Sequence, residues 1–260
     1  MQKFGDGNMA DVFRIGDVVR KERGPWWDSV RQVLTYLEHA GFAWSPRIAP
    51  EQTNWVDLSY IEGESIEAGL SGARDPDILR QIGRCARDLH DSLDGFRLNH
   101  ETETVPWPIE PPAQIMICHN DLSPWNTVMK NGRIQGIIDW DLVSYGTREW
   151  ELAWMCWRWA PIYPPGARTQ LSVAEQIQRC RILLESYGVD TLDLNGFVNL
   201  IDRRMECALE VVEQLGAQGV AGFDRLLNSG MHLSGHDDRA WLASNRDLFV
   251  AGLESTWADA

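Results

Sequence analysis

The stretch from Ile115 to Asp139 constrains the fold more than any other part of the chain. It opens on a short β-like apolar run (Ile115, Met116, Ile117). It then passes directly into ICHNDLSPWNTV, residues 117–128, where a histidine, an aspartate and an asparagine surround a proline turn. Two short strands follow, TVMK and IQGIID, joined by Asn131-Gly132, a dipeptide suited to the positive φ angles of a tight hairpin. The second strand closes on Asp139. A carboxylate at the end of an apolar strand (Ile134, Ile137, Ile138) is costly unless a cation or hydrogen bonds satisfy it. Asn126 stands five positions beyond Asp121. Two carboxylates and an amide oxygen gathered at strand ends suit a hard cation such as Mg2+. That ion takes few protein ligands and completes its shell with phosphate oxygens and water.

The flanking patterns predict a small β-rich part followed by a larger helical one. Residues 1–22 read as short strands: a glycine-bearing turn (GDGN), then MADVFRIG, then GDVVRKE with Gly16-Asp17 as a hairpin turn. From Trp27 to Gly41, the recurrence of Val30, Val33, Leu34 and Leu37 predicts a helix. Further strands are expected around Ser45–Ile48 and Asn54–Tyr60, with a linker near 58–64. Asp75-Pro76 is a helix start, an N-cap acceptor followed by proline at the first helical position. Ile78, Leu79, Ile82, Cys85, Ala86 and Leu89 then form one apolar stripe. The proline-rich VPWPIEPP (105–112) connects to the polar motif. Beyond it, helices are expected over roughly 148–159, 168–187, 195–216 and 238–257.

Composition sets limits rather than a function. The 260 residues can bury a sizeable core as one large domain or two lobes. No apolar run approaches the length of a membrane-spanning helix, and the first residues lack the apolar core of a secretory signal. Five cysteines, none in a CxxC spacing, indicate reduced thiols in a cytoplasmic setting and argue against a zinc site. With 38 acidic against 24 basic residues, the formal charge is −14. Such a chain repels nucleic acid unless it hides a basic patch, and it attracts cations; solubility is the plainer reason for the charge.

The spaced set His119-x-Asp121-(four residues)-Asn126, followed by Ile138-Asp139, resembles the catalytic and metal loops of the aminoglycoside phosphotransferase/choline kinase family. HNDLSPWN is similar to the family's HGDLxPxN, with Asn120 where glycine is commoner. IDWDLVSYGTREWELAW resembles the segment that follows, in which an acidic residue near Glu151 helps anchor a helix. The resemblance implies an α+β, two-lobed protein-kinase-like fold. Its N-terminal nucleotide-binding lobe would span 1–63, with the hinge at its end, and its mainly helical catalytic lobe 64–260. It also implies ATP and Mg2+ as cofactors, and transfer of the γ-phosphate to a hydroxyl of a small aminoglycoside-, choline- or amino-alcohol-like molecule. The net charge favours a cationic acceptor.

On this resemblance Asp121 orients the acceptor hydroxyl and takes its proton late, Asn126 and Asp139 hold Mg2+, and His119 braces the loop. Asp141 either supports the metal site from behind or solvates the strand end. Such folds carry a phosphate-binding cation on the third strand. Arg20 matches that position, sharing an inward face with Val18, while Lys21 points the other way unless a bulge exchanges them. In DLSYIEGE the backbone at Ser59 and Ile61 faces the adenine.

Three departures qualify the match. The helix position of the usual partner glutamate falls near Val30, which cannot form the ion pair; Asp28 and Glu38 are the candidate substitutes. GDGNMADV is a short glycine loop. Asp139-Trp140-Asp141 is not Asp-Phe-Gly. Trp150, Trp154 and Trp157 fall on one helix face, which core packing explains better than a substrate cage. The alternatives are a catalytically impaired nucleotide-binding module of the same fold and, more remotely, a metal-dependent hydrolase.

Overall fold

The computed structural model describes residues 2–4, 11–49, 54–66, 75–107, 115–166, 168–189 and 192–257. The expected GDGN turn and the second half of the proline-rich connector lie outside these residues.

Four antiparallel strands form the first sheet in the order β1-β2-β3-β4: Gln2–Phe4, Val12–Ile15, Val18–Glu22 and Trp55–Ser59. Gly16, at φ +62°, makes the β2–β3 turn, a conformation that carries little penalty for glycine. Helix α1 (Trp27–His39) buries Val30, Val33, Leu34 and Leu37 in the same core as Val56 and Leu58 of β4. Each such side chain contributes about 1.5–3 kcal/mol relative to exposure. Register decides the faces of β3: Lys21 opposes Val56 and Val19 opposes Leu58, whereas Arg20 opposes Asp57. The core face therefore carries Lys21. The expectation that Arg20 points inward is corrected, because Arg20 lies on the opposite face with a carboxylate across from it. The strand expected at 45–48 is reduced to one bridge, Ile48 to Leu58.

The chain crosses to its helical part through β5 (Glu64–Ser65), which pairs with β7 (Thr127–Lys130). Helix α2 (Pro76–Ser92) starts as expected, with the Asp75 side chain accepting from the Asp77 N–H at 2.9 Å and Pro76 in the first turn. β6 (Met116–Cys118) pairs with β9 (Ser144–Gly146), and β7 pairs with β8 (Arg133–Ile137). Asn131 and Gly132, at φ +52° and +72°, form the expected tight turn between them. Gly146 sits where a Cβ would meet Trp150 at 2.8 Å and the Cys118 Sγ at 2.9 Å. The close approach of β9 to the next helix thus depends on its lacking a side chain.

That helix, α3, spans Arg148–Trp159 and is capped by the Thr147 side chain. α4 (Val173–Tyr187) begins later than periodicity suggests because Ser172 and Glu175 form a capping box. α5 runs over Leu194–Ala217. A short α6 (Phe223–Ser229) was not expected, and the single helix anticipated at 238–257 is two: α7 (Ser234–Ser244) and α8 (Arg246–Trp257). The break is at Asn245, whose side-chain amide donates to the Trp241 carbonyl and competes with the helical bonds there. α2 packs on α4, and α3 on α5. Among the described residues no helix is long and apolar enough to cross a membrane.

Candidate active site

The turn after β6 is held from two helices. Asn120 has φ +65°, a left-handed conformation that asparagine tolerates better than most residues and glycine adopts freely. This accounts for asparagine standing where the related motif prefers glycine. Its side chain also contributes: Oδ1 accepts from the Trp150 indole N–H at 2.9 Å, and Nδ2 donates to the Cys118 carbonyl at 3.3 Å. The backbone N–H groups of His119 and Asn120 donate to the two carboxylate oxygens of Glu151, at 2.6 and 2.7 Å. Burial alone would raise the Glu151 pKa, but His90 and the His119 N–H more than offset it and hold the group below the usual range. From α5, Arg204 donates through Nη2 to the Asn120 carbonyl at 2.8 Å. Its guanidinium lies 4.1, 4.5 and 4.4 Å from the ring centroids of Trp107, Trp150 and Trp154. Burial pulls its pKa down to about 10.

His119 is fully buried against Trp140, with ring centroids 4.6 Å apart. Its Nδ1 accepts from the Asp121 N–H at 3.2 Å, which places the proton on Nε2, facing the Ile138 carbonyl at 3.2 Å. Burial lowers its pKa. Both nitrogens serve the backbone, a geometry that suits bracing better than proton transfer.

Asp121 is half-buried, and its carboxylate is held by two near neighbours in the loop and by one residue of α3. Ser123 Oγ donates to Oδ1, Trp154 Nε1 donates to Oδ1 at 3.2 Å, and Asn126 Nδ2 donates to Oδ2 at 2.8 Å. Burial raises its pKa, opposed by the Ser123 bond and the charges of His119 and Arg158. The three donors fix where the carboxylate points.

Asn126 and Asp139 are brought side by side by the β7–β8 hairpin: the Ile138 N–H donates to the Asn126 carbonyl at 2.9 Å. Asp139 takes φ +61°, and its side chain is 41% exposed, open enough for further ligands. Burial and the neighbouring carboxylates Asp141 and Asp121 push its pKa up to about 6, against the opposing charge of Lys21. Both contacts of the Asn126 amide nitrogen go to Asp121, leaving its oxygen as a ligand. One carboxylate and one amide oxygen are hard donors that fit Mg2+. Among the described residues no cluster of three or more His, Cys, Asp or Glu could hold a metal by itself.

The cation at this end is Lys21, buried, with Nζ 2.5 Å from Asp141 and 3.8 Å from Asp139. Burial works against its charge, and the two carboxylates overcome that. Asp141 thus takes the ion-pair place that a helix glutamate was expected to fill. Neither suggested substitute does so: Asp28 is exposed beside Arg31, and Glu38 is exposed on α1. Arg20 is held by Asp57 through two bonds of 2.7 and 2.6 Å.

At the hinge the Ser59 N–H donates to the Arg47 carbonyl at 2.8 Å, and the Ile61 side chain lies against Gly136. What Ser59 can offer a base edge is therefore its carbonyl.

The four tryptophans of α3, Trp150, Trp154, Trp157 and Trp159, are buried, as core packing requires, but three of them also aim indole N–H groups at the loop: Trp150 at Asn120, Trp154 at Asp121 and Trp159 at the Leu122 carbonyl. Their spacing was visible in sequence; the direction of those N–H groups was not. Ser123 lay within the motif without a distinguishing signal. Nothing in the sequence linked Arg204 to a loop more than eighty residues away.

The profile of the phosphotransferase enzyme family matches residues 107–183, which contain this loop and α3. The trifolitoxin immunity protein of Rhizobium leguminosarum bv. trifolii is 31% identical over 201 residues, covering 74% of this chain and 76% of that one. Among solved structures, a choline/ethanolamine kinase family protein from Mesorhizobium loti superposes with a TM-score of 0.62 at 16% identity, over 97% of this chain and 91% of its own. The gentamicin complex of APH(2″)-IIa gives 0.56 at 14% identity, over 92% and 90%. Plasmodium vivax ethanolamine kinase gives 0.60 at 14% identity, over 90% and 83%. These structures share the two-lobed kinase-like α+β fold, and with the sequence relative and the profile they show that the chain belongs to the aminoglycoside phosphotransferase/choline kinase family.

Proposed function

We propose that this chain transfers the γ-phosphoryl group of ATP, with Mg2+, to a hydroxyl group of a small molecule. The observation that carries the reading is the Asp121 carboxylate, fixed by Ser123, Asn126 and Trp154 beside the oxygen ligands of Asn126 and Asp139. Asp121 accepts a hydrogen bond from the acceptor hydroxyl and aims its oxygen. A bond forms from that oxygen to the γ-phosphorus as the bond to the β-phosphate oxygen breaks, and the hydroxyl proton passes to Asp121. Because phosphoryl transfer goes through a loose transition state, positioning and charge matter more than base strength. Asn126 and Asp139 hold Mg2+, which when bound neutralises phosphate charge.

Of the two candidate cations, Lys21 binds the phosphates, leaving Asp141 to do so, while Arg20 supports the strand from its other face. The Ser59 carbonyl and the Ile61 N–H meet the adenine edge. Residues 1–63 act as the nucleotide lobe and 64–260 as the catalytic lobe. The relative's name adds trifolitoxin to aminoglycosides, choline and ethanolamine as acceptors to test.

A second reading, an impaired nucleotide-binding module, draws support from Val30 at the usual glutamate position and from Lys21 being tied to Asp141. Transfer from γ-labelled ATP to a hydroxyl-compound panel separates the two. The kinase reading expects labelled product that Asp121→Ala abolishes; equal labelling by both proteins contradicts it. Calorimetric binding of an ATP analogue without transfer supports the impaired module.

A further inference from the structure

The net charge favours a cationic acceptor, but the charges around Asp121 are arranged otherwise. Four acidic side chains of α5 and α7 already have cationic partners. Asp202 and Glu206 pair with Arg239, Glu206 and Glu210 with Arg203, and the buried Asp238 with Arg168. Asp238 also accepts from the Trp157 indole at 3.0 Å. These groups are neutralised within the protein.

Arg158 is different. It lies on α3 one turn beyond Trp154, the residue that holds the Asp121 carboxylate. Its guanidinium carbon sits 3.3 Å from the ring centroid of Trp157, 4.5 Å from that of Trp154 and 5.5 Å from that of Trp125, the last within the catalytic loop. Its Nε is buried and has no hydrogen-bond partner, and among the described residues no carboxylate lies within ion-pair distance of it, although its charge acts on Asp121 from further off. A guanidinium held on aromatic faces has lost much of its freedom before a ligand arrives, and its planar fork matches the oxygens of a carboxylate or phosphate. On the α3 side of Asp121, Arg158 thus presents a cation seated on indole rings, near enough for its charge to act on the Asp121 carboxylate.

We propose that the acceptor carries an anionic group, a carboxylate or a phosphate, which Arg158 binds from its indole seat while a hydroxyl of the same molecule meets Asp121. The proposal rests on the kinase reading and gives it a substrate class opposite in charge to choline and the aminoglycosides.

Four small hydroxyl compounds test it: glycerate, glycerol 3-phosphate, glycerol and choline. Each is titrated calorimetrically into the protein with Mg2+ and ADP, then offered with Mg2+ and ATP. The anionic members are expected to bind about tenfold or more tighter than glycerol or choline, the scale of one charge-assisted contact. The member that binds better tells carboxylate from phosphate. Arg158→Gln should abolish the preference, and Arg158→Lys should keep part of it, with ADP affinity unchanged in both. Equal or undetectable binding of all four, tighter binding of choline, or a preference that survives Arg158→Gln overturns the proposal. The two readings fail separately. Anion binding through Arg158 with no transfer to any hydroxyl defeats the kinase reading and leaves the anion site standing; transfer to choline but not to the anions does the reverse.

Discussion

The two ends of the candidate site are held in different ways. The loop from His119 to Asn126 is fastened by Glu151, Trp150 and Trp154 from α3 and by Arg204 from α5, and nearly all of these contacts are buried. The end near β3 depends on Lys21, paired closely with Asp141 and more distantly with Asp139, and on a separate pair, Arg20 with Asp57, on the other face of the strand. The first end is built to hold its geometry whether or not a ligand is present. The second is built from charges that a nucleotide can rearrange. Damage to the first should therefore appear as lost stability together with lost turnover, and damage to the second chiefly as lost nucleotide affinity.

The largest effect is expected at Glu151. Glu151→Ala leaves two buried N–H groups without acceptors, and unfolding in urea should show a loss of about 3–5 kcal/mol. A loss below about 1 kcal/mol would mean that the loop does not depend on α3. The same residue makes a pH prediction. Its folded pKa lies below its unfolded one, so its contribution is complete above the ordinary glutamate range near about 4.3 and is lost as pH falls through the folded value. The urea midpoint of the wild type should drop on acidification through that window, and Glu151→Gln should flatten this part of the profile.

Arg204→Ala comes next. It removes the bond to the Asn120 carbonyl and empties the space between three indoles, at a cost of about 2–4 kcal/mol in the same assay. Retention of full wild-type stability would show the arginine to be dispensable for the loop.

At the other end, Lys21→Ala should weaken binding of an ATP analogue by about tenfold or more, while Arg20→Ala leaves that affinity nearly unchanged. The reverse ranking would restore Arg20 as the phosphate cation. The smallest change expected is Asn120→Gly, which keeps the left-handed turn and gives up the side-chain bonds, for about 1 kcal/mol. Asn120→Ala, which must strain the backbone as well, should cost more by about 1–2 kcal/mol.

These contrasts also explain which parts of the molecule were legible in sequence. The spacing of His119, Asp121, Asn126 and Asp139 could be read because a strand, a polar turn and an Asn131-Gly132 hairpin leave few ways to arrange them. Lys21 and Arg20 were distinguishable as opposite faces of one strand, but alternation alone does not say which face is the core. That is settled by the partner strand, where Val56 stands across from Lys21 and Asp57 across from Arg20. Helix α6 was missed because only Phe223 of its seven residues is buried, too little to make a periodic pattern. The break at Asn245 was missed because the apolar pattern runs on through it while a single side-chain amide ends the helix.

The most direct test of the account joins both ends in one variant. Asp121→Asn changes the acceptor-facing group and leaves Lys21 and Asp139 untouched, so its affinity for an ATP analogue with Mg2+ should match the wild type. Its rate of transfer to the best acceptor found should fall by about 10²–10⁴-fold, the usual share of a positioned base. Wild-type transfer rates in Asp121→Asn would contradict the central claim that Asp121 directs the reaction.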